Sequence, residues 1–360
     1  MSNFNDVLPP GKLSKAFSIT KKIGEGSFGV IYSAKLNERK LNTQLPISFA
    51  IKVEKIIKNS KNSNGTLMRE ARLLYKLRNS HGFPKIFYSN TFEKENILIL
   101  EELGKNLENL FEVNNKKFSA VCVCNIAIQA LSRLRELSKK GIIHRDLKPD
   151  NFLIGQNENR DIIFLIDFGL SKNYIDENNK HIEFSKDSGF IGTPRYASVN
   201  SHLGYEQSRR DDLETLAYIM VYFLKGKLPW MNLNYQKMIG ESKEINPEVR
   251  NKLIMKYKIN ICSDALFKDL PTVFHDYFKY VKTLEFKQEP DYDVLIENFE
   301  KFLSYRKASY KYDWESKLSR SLRKESPEMS FLSIEKEIGN LNFDWFEEDK
   351  NPFHNEPRVN

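Results

Sequence analysis

The sequence predicts an α+β chain in two parts, a small strand-rich one followed by a larger helical one. Three observations carry this. At 360 residues the chain exceeds one typical domain. Between Phe17 and Leu103 the apolar residues come in short β-rich runs parted by polar turns. Beyond Gly104 they recur at helical spacing instead.

Taken in order, residues 1–16 form a polar lead with Pro9-Pro10-Gly11, expected to be mobile. Val30-Ile31-Tyr32, Phe49 to Val53 and Ile97 to Leu100 read as strands. One helix interrupts them, Thr66 to Leu77, with Leu67, Ala71, Leu74 and Leu77 on one face. Asn37 to Gln44 and Lys58 to Gly65 are polar loops. The second part predicts helices over Val121 to Leu137, Asp211 to Leu224, Pro247 to Lys256, Thr272 to Leu284 and Tyr292 to Phe302. The expected domain is therefore 17–304, divided into lobes 17–103 and 104–304, with an extension over 305–360.

Composition narrows the class. With 40% hydrophobic and 29% charged residues, the chain fits a globular protein and not a wholly disordered one. Its longest clean apolar run, Ala217 to Leu224, is too short to span a membrane. Neither a secretory signal nor a lipid-anchor motif is visible, so the expectation is a cytoplasmic monomer, with nuclear entry left open. Cys122, Cys124 and Cys262 lack metal-ligand spacing and read as reduced structural thiols. The net charge is +8, yet residues from Tyr305 onward hold 10 Lys/Arg against 11 Asp/Glu, leaving about +9 for the body. A basic body suits several acidic partners. Without the aromatic-basic interleaving of single-strand binders, nucleic acid is not the expected substrate.

The chemistry lies in four motifs. Ile23-Gly24-Glu25-Gly26-Ser27-Phe28-Gly29-Val30-Ile31 is a glycine-rich turn between strands, where the missing Cβ lets backbone approach phosphates. A dinucleotide fold would need a helix next, but Val30-Ile31-Tyr32 continues as strand. Lys52 follows Gly29 by 23 residues in an apolar strand and can neutralise α- and β-phosphate oxygens. Glu70, 18 residues on, can hold it in position. His144-Arg145-Asp146-Leu147-Lys148-Pro149-Asp150-Asn151 packs ionisable groups between two apolar runs. There Asp146 can accept a hydroxyl proton, Lys148 can balance phosphoryl charge and Asn151 can offer an oxygen to Mg²⁺. Asp167-Phe168-Gly169 comes 21 residues after Asp146 and supplies a hard-metal carboxylate.

In this order the motifs resemble the eukaryotic protein kinases. Gly192 to Asn200, in place of the usual Ala-Pro-Glu, resembles the casein kinase I family, as does Ser201 to Glu214 after it. Leu228-Pro229-Trp230 and Glu289-Pro290-Asp291-Tyr292 continue the likeness, which runs from about residue 17 to Trp314. The resemblance implies a bilobal kinase fold with ATP and Mg²⁺ in the cleft. Ile23, Ile31 and Ala50 would roof the adenine, Leu153 would floor it, and the backbones of Glu101 and Leu103 would bind its edge beside the gatekeeper Leu100. Asp212 would brace the catalytic loop. The implied substrates are Ser and Thr near acidic or phosphorylated residues, without prior activation-loop phosphorylation. A kinase-shaped binding protein without turnover is the alternative, and it would require loss of Lys52, Asp146, Asn151 or Asp167.

The chain departs from that family in three places. The stretch before Ala50 is long, Pro194 replaces a small residue, and the anion pocket is thinned. Its activation-loop lysine position falls on Ser188, leaving Arg195 and Lys237 as the substrate-anion residues. The extension is basic up to Lys324, then holds three basic against nine acidic residues, and is expected to inhibit or dock on the body. Ser330 precedes Ser333 at the priming spacing.

Overall fold

A computed structural model describes residues 8, 12–26, 29–37, 48–56, 65–92, 94–231, 233, 246–308 and 312–315. They fall into two compact units, one within Met1–Asn79 and Pro84–Leu103, the other within Ser80–Phe83 and Gly104–Arg323.

The first unit is an antiparallel sheet of β1 (Phe17–Gly26), β2 (Gly29–Leu36), β3 (Ser48–Lys55), β4 (Ile86–Thr91) and β5 (Glu95–Glu101), ordered β1-β2-β3-β5-β4. Side chains alternate along β3. Phe49, Ile51 and Val53 enter a core with Phe17, Phe87, Ile97 and Ile99, where Phe49 meets Phe17 and Phe87 edge to face. Ala50 and Lys52 therefore belong to the other face. Helix α2 (Thr66–Lys76) packs on β4 and β5. It is fastened to β3 at its start, where the Glu54 carboxylate accepts the N–H of Thr66 and of Leu67. That contact satisfies donors a helix leaves open at its first turn.

Part of the lead, expected from sequence to be a separate stretch up to 16, is built into this unit. Lys12–Ala16 forms a short helix, α1, and Leu8 and Ala16 are buried in the sheet's core. Scattered single apolar residues in polar sequence give no periodic signal, and burial is what fixes them here.

The second unit contains α3 (Leu107–Val113), α4 (Ala120–Lys139), α5 (Val199–His202), α6 (Arg209–Lys225), α7 (Pro247–Asn260), α8 (Ser263–Leu266), α9 (Thr272–Thr283) and α10 (Tyr292–Tyr305). Two small ribbons complete it: β6 (Ile142–Ile143) with β9 (Lys172–Asn173), and β7 (Phe152–Ile154) with β8 (Ile163–Leu165). Helix α6 is buried on nearly every side from Asp211 to Leu224 and packs against α4 and α9. From Leu216 to Leu224 it is apolar on every side, as a helix buried in a core is, and its first two turns carry buried Asp211, Asp212 and Glu214.

The first residues of the extension pack on this unit. Trp314 is 1% exposed, lying against Phe118 and stacked on Tyr312 at 4.4 Å. Asp313 accepts the N–H and the hydroxyl of Ser119, the N-cap of α4. An apolar ring of this size buried in a core explains why the fold runs on past 304. The acidic segment with Ser330 and Ser333 lies outside the described residues.

Candidate active site

In the sheet unit, the glycine hairpin joins β1 to β2, with Gly24 opposite Ile31 and Gly26 opposite Gly29. Its three glycines differ. A Cβ at Gly29 (φ +131°) would stand 2.2 Å from the Val53 carbonyl oxygen. One at Gly24 would make ordinary contact with Ile31, and one at Gly26 would meet nothing within 4 Å among the described residues. Ile23 is 43% exposed on β1, and Ser27 and Phe28 lie outside the described residues.

Lys52 lies opposite Ile31 on one side and Leu98 on the other. Its ammonium donates to Glu70 Oε2 at 2.6 Å, both side chains being buried. A buried pair of this kind fixes the lysine's direction, because breaking it would leave a charge uncompensated. Ala50 lies opposite Ser33 and Leu100. At the end of β5 the Glu101 N–H donates to the Lys85 carbonyl at 2.9 Å, so that N–H is already committed. Burial raises the Glu101 carboxyl above its ordinary range. Leu103 closes the unit.

In the helical unit, the 144–151 loop is tied down at every turn. Asp212, on α6, accepts the N–H of His144 at 2.7 Å and of Arg145 at 2.9 Å, one on each oxygen. Burial raises this carboxyl above its ordinary range, while the two N–H groups and nearby His144 and Arg145 draw it back. Arg145 adopts φ +70°, a backbone state that costs energy for a non-glycine residue and needs such fastening. Its Nε donates to the Leu170 carbonyl at 2.7 Å.

Asp146 is 7% exposed. One oxygen accepts the Thr193 hydroxyl at 2.7 Å, and the other accepts Lys148 Nζ at 2.9 Å. Burial alone would lower the Lys148 ammonium, but Asp146, with Asp167 and Asp150 beyond it, holds it above its ordinary value. Asn151 donates its amide N–H to the Asp146 carbonyl at 2.9 Å. Asp167 follows β8 with φ +65°, and its Oδ1 accepts the Gly169 N–H at 3.4 Å. Leu153, half-buried on β7, is bridged to Asn106.

The two proposed metal ligands fit a hard cation. With its N–H committed, Asn151 has its oxygen left to offer, and Asp167 adds a carboxylate. Among the described residues no group of three or more His, Cys, Asp or Glu could hold a metal alone. That suits Mg²⁺, which takes one or two protein oxygens and completes its shell with phosphate and water.

Arg195 is exposed, with its guanidinium 3.4 Å from the Tyr196 hydroxyl. Lys237, its expected companion, lies outside the described residues. Ser188 donates instead to Glu206, which Lys172 also binds at 2.9 Å. Sequence reasoning missed Glu54, Thr193, Trp230 and Lys258, all of which position site segments. Only Trp230 and Thr193 stood within quoted motifs, and neither motif states a contact.

The protein kinase domain family matches residues 17–283, and the chain belongs to it. The antiparallel sheet unit and the helical unit are those of its fold. Within the family, the expected likeness to casein kinase I is borne out. The chain is 40% identical over 291 residues to Casein kinase I homolog 2 of Schizosaccharomyces pombe, matching 80% of this chain. It spans 62% of that relative's length.

Proposed function

We propose that this chain is an active Ser/Thr protein kinase of casein kinase I type, transferring the γ-phosphoryl group of ATP. The observation that carries the reading is Asp146. Its carboxylate already accepts a hydroxyl, that of Thr193, and lies beside Lys148, which can meet the charge on the phosphoryl group. The bound Mg²⁺ would supply charge neutralisation at the phosphates. Asn151 and Asp167 would hold it, and Lys52, aimed by Glu70, would hold the α- and β-phosphates. Gly24, Gly26, Ser27, Phe28 and Gly29 would cover them. Ile23, Ile31, Ala50 and Leu153 would enclose the base, with Glu101 offering its carbonyl and Leu103 its backbone.

Arg195 favours acidic or phosphorylated peptides, since an exposed guanidinium can grip a phosphate with two parallel hydrogen bonds. Lys237 would assist it. The reading includes a cytoplasmic monomer with nuclear entry open; among the described residues no helix is long and apolar enough to cross a membrane. No observation favours a binding protein without turnover, because Lys52, Asp146, Asn151 and Asp167 are all present.

The test is to incubate the purified chain with Mg²⁺, labelled ATP and casein, using Asp167→Asn as control. Label on Ser or Thr that disappears in the variant is expected. Absence of label with the unaltered chain, on casein and on a phosphorylated peptide alike, would overturn the proposal.

A further inference from the structure

Lys258 is a buried amino group that the phosphoryl-transfer chemistry does not use. It stands near the end of α7 and is 4% exposed, and among the described residues no carboxylate lies within ion-pair reach of it. Its Nζ donates to the Pro194 carbonyl at 3.0 Å and the Ala197 carbonyl at 2.6 Å. His202 Nε2 is 3.3 Å away and also lies 3.1 Å from the Pro194 carbonyl. The rings of Tyr218 and Trp230 face the ammonium at 4.8 and 5.1 Å. Trp230 in turn donates its indole N–H to the Arg195 carbonyl at 2.8 Å.

The 194–197 turn is thus held by three of its carbonyls from below. Its own N–H groups do little to fix it from outside, since those of Tyr196 and Ala197 both turn back to the Thr193 carbonyl. Buried carbonyls need donors, and an amine supplies two N–H groups whether protonated or not. Burial lowers Lys258 well below an ordinary lysine, against the pull of the Glu214 carboxylate. On the turn's open side stands the Arg195 side chain, and at its start Thr193 binds Asp146.

We propose that Lys258 is a positioning residue for the peptide substrate, holding the 194–197 turn by its carbonyls so that Arg195 keeps a fixed place relative to Asp146. This rests on the kinase reading above and adds the origin of its peptide selectivity. Displacement by about 1 Å is enough to disturb a reacting arrangement by two orders of magnitude. Nucleotide binding should be indifferent, because none of these contacts involves a residue assigned to ATP.

The experiment compares full-length Lys258→Met and Trp230→Phe with the unaltered chain. It measures KM for a phosphorylated peptide, KM for ATP, kcat, and amide hydrogen exchange over residues 193–204. Lys258→Met is expected to raise peptide KM at least fivefold and Trp230→Phe about twofold. KM for ATP should stay within twofold, with faster exchange at Tyr196 and Ala197. A peptide KM that does not move, or that rises in step with the KM for ATP, would overturn the positioning role. If Lys258→Met does not fold, Trp230→Phe decides by the same criteria. If the unaltered chain transfers no phosphate, the kinase reading falls, and the exchange measurement judges the holding of the turn on its own.

Discussion

Two stretches of the helical unit are fastened with opposite polarity. The 144–151 loop is gripped by its backbone N–H groups, which converge on the Asp212 carboxylate. The 194–197 turn is gripped by its carbonyls, which converge on the Lys258 amine and the Trp230 indole. In both cases the anchoring residue reads backbone, leaving the side chains of the held segment to work. Both anchors rest on the same scaffold: Asp212 belongs to α6, and the ring of Tyr218, also on α6, faces Lys258. The difference teaches what each kind of anchor leaves free: the loop carries Asp146 from a carboxylate that takes its N–H groups, and the turn carries Arg195 from an amine and an indole that take its carbonyls.

Removing what the loop presents sets the upper limit of damage. Asp146→Asn should cut kcat about a thousandfold, within the range for a lost general base, with an unchanged melting temperature. Retention of a tenth of the activity would mean the loop aims something else. Removing the anchor should cost less in rate and more in stability. Asp212→Ala orphans two buried N–H groups, each worth about 1–3 kcal/mol, measurable by urea unfolding, and kcat should fall by about ten- to a hundredfold. Equal kcat losses in the two variants would show that anchor and base are inseparable.

On the turn, Arg195→Ala should lower kcat/KM for a phosphorylated peptide by about tenfold or less, exposure weakening the charged contact. The matched unphosphorylated peptide should lose less, and equal losses would reduce Arg195 to a brace. The smallest effect sharpens the carbonyl side. Burial, then the proximity of Lys258, lowers the His202 pKa to about 3. Between about pH 6.5 and 3 the unfolded chain therefore binds a proton that the folded one refuses, so stability declines as pH falls through that window. Going from pH 7 to 5.5, the unaltered chain should lose roughly 1 kcal/mol more unfolding free energy than His202→Gln. Parallel losses would place the titration elsewhere.

What was legible in the sequence follows from separation along the chain. Asp146, Lys148 and Asn151 lie within one short loop, and Lys52 and Glu70 are joined by a single strand-to-helix passage, so local pattern sufficed. The helices over 120–139, 209–225 and 272–283 were visible because their apolar residues recur over several turns. Strand β1 was less distinct, since most of its residues face solvent, and α3 is too short to establish a period. Lys258 could not be read at all. Its partners lie some sixty residues away, and nothing near it distinguishes it from the exposed lysines of the same helix.

The glycine hairpin has a consequence for how this chain can drift. Alanine at 29 would collide with the Val53 carbonyl, so glycine there is dictated from within and would persist even in a chain that bound no nucleotide. Among the described residues nothing makes such a demand at 24 and 26, because a methyl group finds tolerable contact at one and meets nothing within 4 Å at the other. Under the nucleotide-binding reading proposed above, glycine at those two places answers to the ligand. Among descendants of this sequence, substitution at 26 with 29 kept would therefore mark the loss of a ligand, while substitution at 29 would mark a remodelled hairpin.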